Sequence, residues 1–462
     1  MAEGEAIISG PGYKMVVTRG AQRPYFNGDT LIVGYRLLEL DSKASMLGEV
    51  LASLLLPPIT LEEHGVSVSE IIEYYRFRVT LEQIQDLLMR FGSISKLFVV
   101  PPEYPAVARM SLNRKLYPCI FNRVLSSKEL MAEMRSQYSR VLEPRGLIAR
   151  EGGLVINRDL VGQIRRILSD IAGLVGVTAR ASLNVPKSFT SCDASPLLSD
   201  PGGLLMLPEG RVSLSCDSNA IVSIVFGAMY NSGKDVECRY ATPLSSSLIC
   251  ESGGERFIVK EYTRMQIKWI PATLASALMY KYRVSPRARM AAEYRNLRAL
   301  RKLIPTPRIY GVCGTYYSSK MIREYVEGEP VASAGHRNHW RLAGEALAML
   351  HSKNIVVGDP NPGNFIILED GRVALIDAEQ VAKFEPRKGL WDLIVFTLYS
   401  LALGVDENMV SAAIGEYFRL SKKRDEIAKE ASREPIWSTI TLIPSIGVKA
   451  RQIILNSAKG GS

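Results

Sequence analysis

The stretch H-S-K-N-I-V-V-G-D-P-N-P-G-N-F-I-I-L-E-D-G-R-V-A-L-I-D-A-E-Q, His351–Gln380, decides how the rest of the chain is read. An apolar run, Ile355 to Val357, leads into a Gly-Asp-Pro loop. Asn364 follows Asp359 at the spacing D-x-x-x-x-N, and a second apolar run, Val373–Ile376, delivers Asp377. The pattern predicts two strands, each ending in an acidic or amide side chain that a loop can hold in a cleft. Asp, Asn, Pro and Gly are also what any turn contains. What sets this stretch apart is the amphipathic helical pattern before it and the Asp after the second strand.

Those residue types suit phosphoryl transfer. The reaction needs a carboxylate to accept a hydroxyl proton and oxygen ligands to hold magnesium against a triphosphate. Asp359 fits the first role, and Asn364 and Asp377 fit the second. Gly358 and Pro360 would fix the loop, and Gly363 would let the backbone turn before Asn364.

G-D-P-N-P-G-N followed by L-I-D resembles the G-D-x-x-P-G-N … I-D signature of the protein-kinase-like superfamily. The nearest flavour is its atypical branch: RIO-type and KEOPS-associated archaeal kinases, the UbiB family, lipopolysaccharide sugar kinases and aminoglycoside phosphotransferases. The resemblance runs from Val236 to Leu403. It implies a bilobal kinase domain, ATP and Mg2+ as cofactors, and an archaeal source. Two departures stand out. Val357 occupies the place of the usual catalytic-loop His, and the usual D-F-G reads Asp377-Ala378-Glu379. The missing Phe argues against conventional spine regulation, while the base and metal positions are intact.

Upstream, strands are expected at Arg239–Leu244, Leu248–Glu251 and Arg256–Glu261. Ser245, Ser246 and Ser247 fall between the first two, where a kinase covers the phosphates. Backbone N–H groups and hydroxyls can do that without G-x-G-x-x-G. The F-I-V-K ending in Lys260 resembles V-A-I-K, and Lys260 would reach the α- and β-phosphates. Ser285-Pro286 predicts a helix start, with Met290, Tyr294, Leu297 and Leu300 as its buried stripe. Glu293, beside that stripe, is assigned as the ion-pair partner of Lys260, because Glu324 or Glu329 would lie on the wrong lobe. Glu324, Tyr325 and Val326 read as a hinge whose backbone holds adenine.

A helix with the stripe Leu342, Ala346, Met349 and Leu350 ends at His351, a structural histidine bonding the catalytic loop. Only fifteen residues separate Asp377 from Asp392, too few for an A-P-E segment. Asp392 would open a buried helix and accept backbone hydrogen bonds from the loop, as the resemblance implies. Trp269, Leu274 and Leu278, in a basic insert, would face the N-lobe or a partner.

With 462 residues and 47% apolar content, the chain can form two or three domains with real cores. A net charge of +10 permits nucleic-acid or anionic-surface contacts without demanding them. The six cysteines are scattered without a C-x-x-C pair, which predicts neither a zinc site nor a disulfide framework and favours a reducing cytoplasm. The first residues lack a signal-peptide pattern. The apolar stretches Leu47–Pro57 and Leu390–Leu403 are shorter than the ~20 residues a membrane span needs. The expectation is a cytoplasmic protein without a membrane span.

The fold class read from these patterns is α+β: a bilobal protein-kinase-like domain in the C-terminal half, preceded by accessory α+β domains. Residues 1–105 form an α+β accessory region, with strands at Lys14–Thr18 and Thr30–Tyr35. Helices are expected at Met46–Leu56, Val68–Tyr75 and Leu81–Arg90, the last capped by Thr80. Residues 106–185 form a basic helical region with a β-hairpin, winged-helix-like. Within 101–190, 14 Lys and Arg stand against 7 Asp and Glu. Ser126-Ser127 opens a helix, Gly146–Arg150 and Leu154–Arg158 pair as the hairpin, and Val161–Leu174 is another helix. Arg145, Arg150 and Arg158 would meet phosphates if that wing binds nucleic acid. Residues 186–235 are a linker and a β segment, with Leu204–Tyr230 in short strands and Asn231–Lys234 a turn. Residues 236–327 are the kinase N-lobe, and 328–462 the C-lobe with C-terminal helices.

Three functions compete. The first is an atypical serine/threonine protein kinase, with Asp359 as base and a protein substrate. The accessory domains and the basic segment favour it. The second is a small-molecule kinase acting on a sugar, lipid or aminoglycoside, favoured by the short Asp377–Asp392 gap and by the Asp-x-Glu, Asp377 to Glu379, after the metal strand. The third is a pseudokinase or nucleic-acid-binding regulator. Lys260, Glu293, Asp359, Asn364 and Asp377 argue against it.

Overall fold

The computed structural model describes residues 4–20, 23–149, 152–155, 185–192, 195–227, 236–241, 246–262, 279–433, 437 and 444–460. The protein is a mixed α+β chain with several sheets. It divides into two compact units, Met1–Ala220 with Cys313–Tyr316, and Ile221–Val312 with Tyr317–Ser462. Among the described residues no helix is long and apolar enough to cross a membrane.

The first unit opens with a sheet of β1 (Glu5–Gly10), β2 (Tyr13–Thr18), β3 (Tyr25–Asn27), β4 (Thr30–Gly34) and β5 (Thr60–His64), in the order β3-β4-β2-β1-β5. β2 and β4 run parallel. Alternation explains the buried face: Tyr13, Met15 and Val17 of β2 point inward, as do Leu31 and Val33 of β4. α1 (Tyr35–Ala44) follows.

Three expectations for this unit give way. Met46–Leu56 is not a helix. Gly48 and Glu49 both have positive φ (72° and 63°), which breaks any helical run. The Asp41 carboxylate instead gathers the amides of Leu47, Glu49, Leu51 and Ala52 at 2.9, 2.9, 2.8 and 3.0 Å. Only Ala52–Leu55 closes a short 3-10 turn. Secondly, α2 is one 23-residue helix, Ser69–Phe91, where two were expected. Thr80 is buried in mid-helix, and its hydroxyl donates to the Arg76 carbonyl at 2.8 Å, so it caps nothing. Thirdly, among the described residues of Leu204–Tyr230 the strand is the short Arg211–Ser213, followed by a helix at Ser218–Phe226. Asp217 accepts from the Ala220 amide at 2.8 Å, the kind of local bond that starts a helix.

α3 (Tyr104–Leu112) and α4 (Pro118–Ser126) both carry Pro in the first turn. α5 (Lys128–Leu142) starts on Ser127, whose hydroxyl accepts from the Leu130 amide at 3.2 Å. Beyond it Ile148 and Leu154 form one isolated antiparallel bridge where the hairpin was expected, and residues 150, 151 and 156–158 lie outside the described residues. Arg150, Arg158, Val161–Leu174, Asn231–Lys234, Trp269, Leu274 and Leu278 lie outside the described residues.

The absence of a disulfide framework is also overturned. All six cysteines are paired, as Cys119–Cys192, Cys216–Cys313 and Cys238–Cys250, with Cα atoms 5.4, 5.4 and 4.2 Å apart. The first two pairs are 73 and 97 residues apart in sequence, so the fold, and not local spacing, brings them together. Cys238 and Cys250 are direct cross-strand partners.

In the second unit β6 (Glu237–Tyr240), β7 (Ser247–Ser252), β8 (Glu255–Tyr262), β9 (Ile309–Gly314) and β10 (Ser319–Glu324) lie in the order β9-β10-β8-β7-β6. α6 (Pro286–Leu300) buries Met290, Tyr294, Leu297 and Leu300, the expected stripe. Ser285 stands at its N-cap without a side-chain capping bond, so Pro286 alone marks the start. α7 (Arg337–Ser352) buries Ala343, Leu347 and His351 more fully than the expected Leu342 and Met349. Then come β11 (Ile355–Val356), β12 (Phe365–Ile367), β13 (Val373–Leu375), β14 (Ala382–Lys383), α8 (Pro386–Ala402) and α9 (Glu407–Leu420). α7 and α9 touch so closely at Gly344 that a Cβ there would lie 2.0 Å from the Ala413 carbonyl oxygen.

Candidate active site

β11 ends at Val356, and the chain turns through Gly358, whose φ of 80° favours glycine. Asp359 follows, half-buried. The loop is held from beneath. Asp392 does not open its helix, since α8 already starts at Pro386, but from within α8 it accepts from the Val357 amide at 2.7 Å and the Gly358 amide at 2.8 Å. His351 binds the same carboxylate with Nε2 at 3.0 Å, and its Nδ1 meets the Tyr417 hydroxyl at 2.7 Å. Burial raises the Tyr417 phenol far above its ordinary range, so it stays protonated. A buried carboxylate with two amides and an imidazole is well satisfied, and it fixes the backbone next to Asp359.

Asn364 stands five residues on. Its amide nitrogen donates to the Asp359 carbonyl at 3.2 Å, and the Ile376 amide donates to the Asn364 carbonyl at 3.0 Å. That second bond ties the Asn364 turn to the end of β13, where Asp377 emerges.

Lys260 reaches Asp377 from β8. Its Nζ lies 2.7 Å from Glu293 of α6 and 2.8 Å from Asp377. Burial opposes the charge on Lys260, but Asp377, Glu293 and Glu379 outweigh it and hold the ammonium above its ordinary range. Burial, helped by Asp377 and Glu379, pushes Glu293 up against the pull of Lys260 and Arg323. Three residues unread in the sequence, Arg323, Tyr262 and Arg289, complete this cluster together with Glu379. Arg323 of β10 donates to Glu293 at 2.7 Å and also bonds the Ile376 carbonyl. Tyr262 donates to Glu293 at 2.5 Å. Arg289 forks onto Glu379, with contacts of 2.8, 3.0 and 3.1 Å. The signal for Arg289 was its place one turn before Glu293, and for Glu379 its place two past Asp377.

A strap just before α6 braces the same loops. Tyr280 bonds the Gln380 carbonyl, and Tyr282 donates to the Gly358 carbonyl at 3.0 Å. Trp391 donates to Tyr282 at 2.8 Å, and Arg283 and Gln380 exchange bonds of 2.9 and 3.1 Å.

The remaining expected positions are more dispersed. Ser247 is a strand residue paired with Lys260 in register, not part of a loop, because β7 begins there. Ser246 lies beside it, its carbonyl accepting from the Glu261 amide at 2.8 Å, and Ser245 lies outside the described residues. Glu324 closes β10 and its carboxylate accepts from the Arg308 amide at 2.9 Å. Tyr325, half-buried, has the Arg256 guanidinium 4.6 Å over its ring, and Val326 follows it.

The donor set suits a hard divalent cation. Asn364 uses its amide nitrogen internally, which leaves its oxygen as a ligand, and the Asp377 side chain is 21% exposed. Lys260 beside them offers an ammonium for phosphate oxygens.

No family model and no curated protein matches this sequence. Among the solved structures that match is one titled "Crystal structure of aminoglycoside-3'-phosphotransferase of type VIII". It aligns over 49% of this chain and 94% of its own, at 12% identity and a TM-score of 0.31. Likeness at that level fixes neither fold nor function.

Proposed function

We propose that the chain is an ATP- and magnesium-dependent phosphotransferase with a bilobal, protein-kinase-like second unit. The observation that carries this reading is the Lys260 ammonium set between Glu293 and Asp377, which come from a helix and a loop far apart in sequence. Lys260 would hold the α- and β-phosphates, with Glu293 keeping it oriented. Asn364 and Asp377 would ligate magnesium, which supplies charge neutralisation across the β- and γ-phosphates when bound. Asp359, on a loop fixed by Asp392, would accept the proton of the attacking hydroxyl. Glu324, Tyr325 and Val326 would offer backbone groups to adenine.

The acceptor we favour is a serine or threonine of a protein. A small-molecule alcohol is the second reading. It is favoured by the short path from Asp377 to α8, which β14 fills by pairing back on Ile355–Val356. A nucleic acid on residues 106–185 is a separate proposal. Arg145, one of the arginines invoked for it, already bonds the Val141 carbonyl and lies 3.3 Å from Glu73. The proposed cytoplasmic location has to accommodate three disulfides, which persist in oxidising compartments and in intracellular proteins of hyperthermophiles.

The test is Asp377→Ala in a calorimetric titration with ATP and magnesium. Magnesium-dependent binding should vanish while the unfolding transition stays cooperative. Unchanged affinity would remove Asp377 from the metal role. Incubation with radiolabelled ATP separates the acceptors: label on the protein itself favours the first, and label only on small alcohols favours the second.

A further inference from the structure

We infer that Glu379 is a positioning residue for the proposed reaction, clamping α6 to the segment that carries Asp377. The inference rests on the phosphotransferase reading for its consequence, but not for its geometry. Arg289, Glu293 and Asn296 lie on one stripe of α6, at spacings of four and three, so they share a face. That face reads one short piece of chain. Arg289 forks onto Glu379, and Asn296 donates to the Ala378 carbonyl at 2.8 Å. Glu293, between them, shares the Lys260 ammonium with Asp377.

Three carboxylate oxygens, from Glu293, Asp377 and Glu379, lie within 4.8 Å of one another, close enough to suggest a cation site. The cations that fill it are the protein's own side chains. Lys260, Arg289 and Arg323 supply three cations for three carboxylates. Glu379 is 2% exposed, and both its oxygens contact the Arg289 guanidinium, with Lys260 3.6 Å away. It therefore acts on the helix and not as a metal ligand. A planar fork on a carboxylate constrains direction as well as distance, which a single ammonium does not. Where a Phe is usual, buried Ala378 gives its carbonyl to Asn296, so the helix is anchored by polar contacts to this segment. The clamp presets the Lys260–Glu293 pair, a pair that must be in place for transfer.

The experiment compares Glu379→Gln, Arg289→Lys and a control, Glu430→Gln, which removes a similar carboxylate from Arg387 at 2.8 Å in the same unit. Hydrogen exchange is followed in Pro286–Leu300 and in α8, with kcat and the KM for ATP measured in parallel. In both clamp variants the α6 amides should exchange at least about tenfold faster, with α8 unchanged. Their kcat should fall about tenfold to a hundredfold, with the KM for ATP changed less. The control should leave kcat and the α6 amides alone; its partner Arg387 lies in the first turn of α8, so only the amides of α8 beyond that turn serve as the reference. Unchanged α6 exchange, or an equal rise in α8, overturns the clamp whatever the activity. Faster exchange confined to α6, in a wild-type protein that transfers no phosphate, keeps the clamp and sinks the phosphotransferase reading. If Glu379→Gln does not fold, Arg289→Lys keeps the charge and tests the fork alone.

Discussion

Each unit buries a cluster of carboxylates and guanidinium groups, and the two clusters behave in opposite ways. In the first unit Glu49 lies 2.5 Å from Arg78 and 3.4 Å from Arg109, with Tyr75, Asn113 and Ser45 also bonded to it. Burial works against its charge, but the two arginines more than compensate and hold the carboxyl below its ordinary range. In the second unit Glu293 has Lys260, Arg323 and Tyr262 around it and is nevertheless pushed up, first by its burial and then by Asp377 and Glu379 in the same space. The first cluster is a closed set of partners that ties α2, α3 and the Asp41 loop together. The second crowds three carboxylates around the Lys260 ammonium, with Asp377 still 21% exposed, and such crowding marks a site more often than a strut.

The comparison is tested by asking whether activity and stability separate. The largest effect is expected from Asp359→Asn. Turnover should fall ~10²–10⁴-fold, with ATP affinity and the thermal midpoint nearly unchanged. Near-wild-type turnover would mean another group takes the hydroxyl proton. Glu49→Ala should do the reverse, lowering unfolding stability by ~3–5 kcal/mol by stranding buried arginines, while ATP affinity in the second unit holds. An equal loss of nucleotide binding would erase the distinction drawn here.

A smaller effect is pH-dependent. Because the folded state depresses Glu49, its contribution is complete above the ordinary glutamate value of about 4.3 and is lost as pH falls through the folded value. Asp41 works the other way, since burial raises it despite its four amides. The clean measurement is the stability difference between wild type and Glu49→Gln. It should stay constant from neutral pH to about 5 and shrink below that. A difference independent of pH down to 3 would show that Glu49 is held by packing alone. The smallest effect belongs to Arg145→Gln. Since that guanidinium is already engaged by Glu73 and Val141, any duplex binding should keep its salt slope to within ~0.7. A larger flattening in a salt titration would place Arg145 on phosphate.

Much of the second unit was legible. Gly358, Asp359, Asn364 and Asp377 announce themselves because loop chemistry needs those residue types at fixed spacing. Pro286 announces a helix start, and Glu293 follows from its place beside the apolar stripe. Asp392 could be placed only through the family resemblance, since buried Glu379 lies in the same gap. What could not be read depends on partners distant in the chain. Arg323 and Tyr262 look like ordinary strand residues until β8 and β10 pair. The disulfides join positions whose spacing carries no pattern. Thr80 looked like a cap because hydroxyls favour caps, and only its burial inside α2 shows the hydroxyl turned back on the preceding turn. The Met46–Leu56 periodicity was real, but the Asp41 carboxylate competed for the same amides and won.

The strap formed by Tyr280, Tyr282 and Arg283 sets a rule for dissecting the chain. Its partners are Gly358, Gln380 and Trp391, all emerging from the ribosome long after α6. Cut the protein between residues 327 and 328, and the upstream fragment keeps the phenols while losing the Gln380 and Gly358 carbonyls to which they bond. Neither fragment should then be a usable reagent by itself. During synthesis the strap can dock only once residue 391 has left the exit tunnel, so the proposed nucleotide-binding half is completed by the last third of the polypeptide.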